Sequence, residues 1–134
     1  MGAATAGYLA HRGHDLVLGY VGDRAAAEQA VAVASATGAR AIAVPGDVAD
    51  EDVTRLFAAA AELGPVTGMV NNAGITAHLS HLADVPVAVV RRVVEVNLLG
   101  SLLWARLAAQ VMSPARGGPG GAIVNVSSAA ATLA

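Results

Sequence analysis

Short apolar runs alternate with longer amphipathic stretches along most of this chain. Leu16, Val17 and Leu18, within Asp15 to Tyr20, follow Gly13, and the run Ala41 to Pro45 follows Gly38. Continuous apolar runs of this length bounded by glycine predict strands buried on both faces, as in parallel sheets. Between them, Asp23 is an N-cap candidate for a helix over Arg24 to Thr37, with Ala27, Ala30, Val31 and Ala34 at helical spacing and Gly38 just past its end. The unit then repeats. Asp50 is the next N-cap candidate, Glu51 and Asp52 put acidic charge in the first turn, Val53, Leu56, Phe57 and Ala60 form one stripe, and Gly64-Pro65 stops the helix. A third strand is predicted at Gly68 to Val70 and a long helix from Pro86 to about Met112. The Gly/Pro-rich loop Ser113 to Gly121 then leads into a fourth strand, Ala122 to Val126. Such alternation predicts an α/β fold on a parallel sheet.

With 134 residues, 55% of them hydrophobic, the chain is expected to form one domain with a core of moderate size. A net charge of −2 and a charged share of 13% lack the basic footprint of a nucleic-acid binder and the high charge of a disordered chain. The absence of cysteine removes disulfides, thiolate nucleophiles and Cys-ligated metal, and no metal site is predicted. The most apolar stretch, Leu98 to Ala109, contains Gly100, Ser101 and Arg106 and falls short of the ~20 apolar residues that span a bilayer. The first residues carry no basic region, and their apolar run stops at His11 and Arg12. The expectation is therefore a cytoplasmic protein with no membrane or nucleic-acid partner. All eight basic residues are arginine, and the only tyrosines are Tyr8 and Tyr20. Any mechanism needing a Tyr and Lys pair is closed to this chain by itself.

Polar residues collect where the predicted strands end. Asn71-Asn72-Ala73-Gly74 follows the third strand, Asp47-Val48 the second, and Ser127-Ser128 the fourth. In open parallel sheets ligands sit outside the carboxyl ends of the strands, and small residues there let a flat ligand approach the backbone. Taken singly, each has a plainer reading: a self-satisfied Asn-Asn turn, a capping Asp47, an N-capping serine pair. Three such groups on one rim favour a ligand crevice. On the long helix, Asn97 shares a face with Val90, Val93, Val94 and Ser101, a stripe that otherwise reads as core. A carboxamide there must find partners, either as a satisfied buried group or as a placed functional one.

Asn71-Asn72-Ala73-Gly74, Asp47-Val48, Val96-Asn97-Leu98 and Ile123-Val124-Asn125-Val126-Ser127-Ser128, in this order and separation, resemble the classical short-chain dehydrogenase/reductase family. The resemblance covers the chain from about Gly2 to its last residue. It implies a Rossmann-type doubly wound parallel sheet, NAD(P)(H) as cofactor, and hydride transfer between the nicotinamide and an alcohol or ketone. A reductase similar to the 3-oxoacyl-carrier-protein reductases is expected. By the same resemblance Asp47 contacts adenine beside Val48, Asn72, Ala73 and Gly74 pass the ribose, and Asn97 and Ser128 are catalytic. Ser128 would bond the reacting carbonyl oxygen, with Ser127 its neighbour. Gly2 matches the last glycine of the family's phosphate-binding turn, and Tyr20 the end of the strand that approaches the adenosine ribose. No carboxylate stands at that tip and Arg24 lies near it, so NADP(H) is favoured over NAD(H).

The chain departs from the family at both ends. The first strand and first glycines of TGxxxGxG have no counterpart before Met1, and none of YxxxK is found before Ala134; Tyr8-Leu9-Ala10-His11-Arg12 has the wrong place in the fold. The expectation is an incomplete Rossmann domain whose missing strand belongs between Asp15–Tyr20 and Gly68–Val70. Its two inner edges would face a gap, which favours a homo-oligomer or a partly ordered state. The rival reading is a non-catalytic nucleotide-binding or interaction remnant of a disrupted gene of this family. The 134-residue chain by itself is expected to show no ketone reduction above background with NADPH or NADH. A steady-state rate with a β-ketoacyl thioester or simple ketone, abolished by Ser128→Ala, would be the contrary result.

Overall fold

The computed structural model describes residues 1–49, 53–78 and 80–129. The elements run α1 (Gly2–His11), β1 (Leu16–Tyr20), α2 (Arg24–Ser35), β2 (Ala41–Pro45), α3 (Val53–Leu63) and β3 (Gly68–Asn71). They continue with α4 (Val87–Val94), a π-helical segment (Glu95–Gly100), α5 (Ser101–Met112) and β4 (Ala122–Asn125). Each predicted strand and helix is present, β2 with the predicted bounds and others with shifted ends. In α2 the Asp23 carboxylate accepts the Ala26 N–H at 2.9 Å, as an N-cap should. The helix stops at Ser35 rather than Thr37, because the Thr37 hydroxyl folds back onto the Ala34 carbonyl at 2.7 Å and Gly38 takes φ +94°. The predicted cap and acidic first turn at Asp50, Glu51 and Asp52 lie outside the described residues. The predicted long helix is continuous in path, but π hydrogen bonding over Glu95–Gly100 divides it, and Pro86 is its N-cap rather than its first helical residue.

The strands form two separate parallel pairs, β1 with β2 and β3 with β4. Leu16 is in register with Ala41 and Tyr20 with Pro45 in one pair; Gly68 aligns with Ala122 and Asn71 with Asn125 in the other. The inner edges, β1 and β3, are not hydrogen-bonded to each other, which is the gap anticipated from the sequence. Helices bridge it. Both α2 and α3 pack on β1 and β2 and, among the described residues, not on one another, so they cover opposite faces of that pair. From its face α3 meets α5, and α5 covers one face of β3 and β4. The small core lies there: Met69, Ala108 and Met112 are buried, with Phe57, Val66, Trp104 and Ala105 packed around them. Trp104 reaches across from α5, 5.8 Å between ring centroids from Phe57 on α3 and within van der Waals reach of a Cβ placed on Gly19 of β1.

The expectation that β1 and β2 are buried on both faces fails, since neither strand holds a fully buried residue, and the reading of the valine stripe as core fails as well. β4 is exposed along its length, because only α5 packs on the β3–β4 pair among the described residues and Val70, Val124 and Val126 face outward on the other side. The valine stripe read as core is likewise open, with Val90 at 42% and Val94 at 49% exposure. The side of this helix that packs inward carries Val96 and Gly100, both buried. Among the described residues no helix is long and apolar enough to cross a membrane.

At the amino ends of the strands Arg40 ties three elements together. Its Nε donates to Asp15 at 2.8 Å, its backbone N–H to the same carboxylate at 2.7 Å, and its Nη2 to the carbonyl of Leu63 at the end of α3. These bonds hold the Asp15 carboxyl below the usual carboxylate range. The loop into β4 packs through glycine. A Cβ on Gly121, whose φ is +147°, would stand 2.2 Å from the Thr67 carbonyl oxygen, whereas at Gly117, with φ +82°, it would meet nothing within 4 Å. Gly121→Ala is therefore expected to cost about 3 kcal/mol or more, from clash and strained φ together, and Gly117→Ala about 1 kcal/mol from φ alone. Urea denaturation followed by circular dichroism checks the difference.

Candidate functional site

The carboxyl ends of the strands, the amino end of α1 and the π segment converge on one rim. The Tyr20 carbonyl at the tip of β1 accepts the Gly46 N–H at 3.0 Å, which carries the β1–β2 pairing one residue beyond the strand. Asp47 and Val48 follow. One Asp47 oxygen accepts the Ala49 N–H at 3.0 Å and the other accepts Nη2 of Arg92 from α4. The Ala49 amide first, and Arg92 with it, hold this carboxyl below the usual range against the opposing effect of burial. Val48 lies on Gly100 so closely that a Cβ there would come within 2.9 Å of its Cγ2 and 3.0 Å of its carbonyl oxygen. Only glycine fits at that contact.

After β3 the chain presents Asn72, Ala73 and Gly74, all exposed. Asn71, just before them, is the one buried polar residue among those described; its Nδ2 donates to Asn125 Oδ1 at 3.3 Å across the register pair. The Val126 N–H donates to the Asn71 carbonyl at 2.9 Å, so β4 is held in line as it runs toward Ser127 and Ser128, both exposed. Asn72 projects toward α1, where a Cβ on Gly2 would be 3.0 Å from its Nδ2. No side chain caps that helix start. Asn97, in the π segment, spends its carboxamide on one residue: Oδ1 accepts the Ile75 N–H and Nδ2 donates to the Ile75 carbonyl, each at 2.8 Å. Its backbone carbonyl accepts the Ser101 hydroxyl at 2.8 Å.

Of the residues singled out from sequence, Gly2 with Asn72 and Asp47 with Val48 are thus brought to the rim, and Asn97 is fastened just beyond Gly74. Tyr20 enters through its backbone, half-buried. Arg24 lies in the first turn of α2 with Nε on Glu28 at 2.6 Å, a well-exposed pair. The sequence reading missed Arg92, Ile75 and the Asn71–Asn125 pair. A signal existed for the last, since both asparagines end strands just before the polar rim. None existed for Arg92, whose partner is 45 residues away.

The short chain dehydrogenase family model matches residues 1–134. The chain is 44% identical over 135 residues to L-rhamnose 1-dehydrogenase (NAD(P)(+)) of Sphingomonas sp. (strain SKA58), covering 99% of this chain and 52% of that protein. It is 42% identical over 130 residues to cis-4-hydroxycyclohexanecarboxylate dehydrogenase of Sinomonas cyclohexanicum, covering 96% and 50%. Among solved structures, acetoin dehydrogenase from Enterobacter cloacae superposes with a TM-score of 0.83 at 30% identity, over 96% of this chain and 51% of that one. The chain therefore spans about half the length of these relatives. A match running from the first residue to the last, on a fold shared with solved members, places this chain in the short-chain dehydrogenase family.

Proposed function

We propose that the chain forms the dinucleotide-binding part of an NAD(P)-dependent oxidoreductase that interconverts an alcohol and a ketone. The observation that carries this reading is the approach of Gly2 to Asn72 at the uncapped start of α1. Backbone N–H groups at a helix start that no side-chain cap bonds form a site for a phosphate or pyrophosphate, and here the Asn72 carboxamide stands beside them. The rest of the rim fits the same ligand. Asp47 offers a carboxylate to the adenine amino group with Val48 beside it, Asn72, Ala73 and Gly74 offer an exposed backbone to a ribose, and Tyr20 ends the neighbouring strand. The nicotinamide, when bound, supplies or accepts the hydride.

Ser128 takes the role of hydrogen-bonding the reacting carbonyl oxygen, with Ser127 beside it. Asn97 is read as serving the reaction through the backbone of Ile75, whose position sets the segment after Gly74. NADP(H) is favoured over NAD(H) because no carboxylate stands at Tyr20 and Arg24 is near, although Glu28 would have to release it to a 2′-phosphate. For the substrate, the relatives' names, a sugar dehydrogenase and a hydroxycyclohexanecarboxylate dehydrogenase, support a secondary alcohol more than they support a 3-oxoacyl thioester. Assembly as a homo-oligomer is supported by the open apolar stripe of Val87, Val90, Val94, Leu98 and Leu102.

In a catalytically competent polypeptide containing this chain, Ser128→Ala is expected to lower kcat by roughly 10²-fold or more, the scale for losing one placed donor to a developing oxyanion. Ser127→Ala should change it far less. Equal losses at the two serines, or failure of such a polypeptide to bind NADPH or NADH at all, would overturn the reading. Asn97→Ala should lower kcat/KM and speed hydrogen exchange of the Ile75 amide, by about tenfold for the loss of a net hydrogen bond of ~1–1.5 kcal/mol.

A further inference from the structure

Three contacts from a single stretch of helix govern two rim loops. Arg92 on α4 bonds Asp47, Asn97 in the π segment clamps Ile75, and Gly100 receives Val48. Residues 92–100 thus hold both the loop after β2 and the loop after β3. The first contact differs from the other two, because it acts on a charged side chain that the proposed function places against the ligand.

We propose that Arg92 is a positioning residue for the base-reading carboxylate: it locks Asp47 in the orientation that selects a 6-aminopurine dinucleotide over a 6-oxopurine one. The inference rests on the reading of Asp47 as the adenine contact. Asp47 stands in a loop and its side chain is 19% exposed, so without a partner it would turn toward solvent or lose hydration. The Ala49 N–H fixes one oxygen and leaves rotation of the carboxylate plane open. The second bond, from a guanidinium carried on a helix, fixes that plane. A carboxylate has about four acceptor positions, and these two bonds leave lone pairs on both oxygens for a ligand donor. A 6-amino group donates to such an oxygen. A 6-oxo group presents a lone pair to it and is repelled. Arg92 also offsets the charge of Asp47, so the carboxyl stays ionised and acceptor-only when the base covers it.

Binding of NADH and of its hypoxanthine counterpart to the 134-residue chain, followed by NMR titration so that weak affinities are measurable, tests this. The parent chain is expected to prefer adenine by about tenfold or more, the scale of one hydrogen bond to a charged group. Asp47→Asn should abolish the preference, and Arg92→Gln should reduce it to about threefold or less by weakening adenine binding alone. Arg92→Lys should keep part of it, and Arg91→Gln, on an exposed side of the same helix, all of it. Independently of any ligand, Arg92→Gln should move the Asp47 carboxyl titration upward. If Asp47→Asn removes the preference while Arg92→Gln and Arg92→Lys leave it intact, the inference is wrong and the reading of Asp47 stands. An Asp47 titration unmoved by Arg92→Gln overturns it as well. A parent chain without preference, or one retained by Asp47→Asn, overturns the reading of Asp47 and the inference together.

Discussion

The ladder hydrogen bonds of this molecule stop at the inner edges of β1 and β3, and the union of its two halves depends on what replaces them. In an uninterrupted parallel sheet, backbone bonds alone would set the spacing of the strand ends. Here the spacing is set by side chains and helices: Phe57 against Trp104 beneath the strands, and Arg92 with Asp47, Gly100 with Val48 and Gly2 with Asn72 along the rim. Each is a contact between elements distant in sequence, and most involve a glycine or a paired charge.

The same constraint explains where polarity is concentrated. A loop that passes a sheet edge must satisfy its backbone groups without a neighbouring strand. The π segment does this for Ile75, whose N–H and carbonyl both go to one carboxamide. Asn71 and Asn125 do it across β3 and β4, where a buried amide at the strand end would otherwise lack a partner. The π hydrogen bonding falls on the segment that must reach both loops, consistent with the general occurrence of such bulges at sites where a helix presents side chains to a ligand. The rim is therefore assembled from polar groups that hold one another, Asp47 with Arg92, Asn97 with Ile75 and Asn71 with Asn125.

Much of this was legible in the residues. The strands from Leu16 to Tyr20 and from Ala41 to Pro45, the Asp23 cap, and the grouping of Asp47, Asn72 and the serine pair at strand ends all follow from local pattern. The family motifs added the gap between β1 and β3. The valine stripe misled, because 3.6-residue periodicity reports that a helix has an apolar face and not whether anything lies on it. Val90 and Val94 are apolar and open, while the inward face carries Val96, Gly100 and an arginine. For the same reason β1 and β2 read as buried on both faces and are only half-buried, since cover belongs to the neighbours and not to the strand.

The sequence by itself determined the local elements, through apolar period, caps and glycine punctuation, and the order of polar groups at the strand ends, because both depend on residues within a turn or two of one another. Only the tertiary structure decided which partners those groups take. That Arg92 answers Asp47 and Asn97 answers Ile75 depends on how the π segment turns over the rim, and chain separations of 45 and 22 residues leave no trace of that in local pattern. A charge or amide announces that it needs a partner; which one it finds is a property of packing.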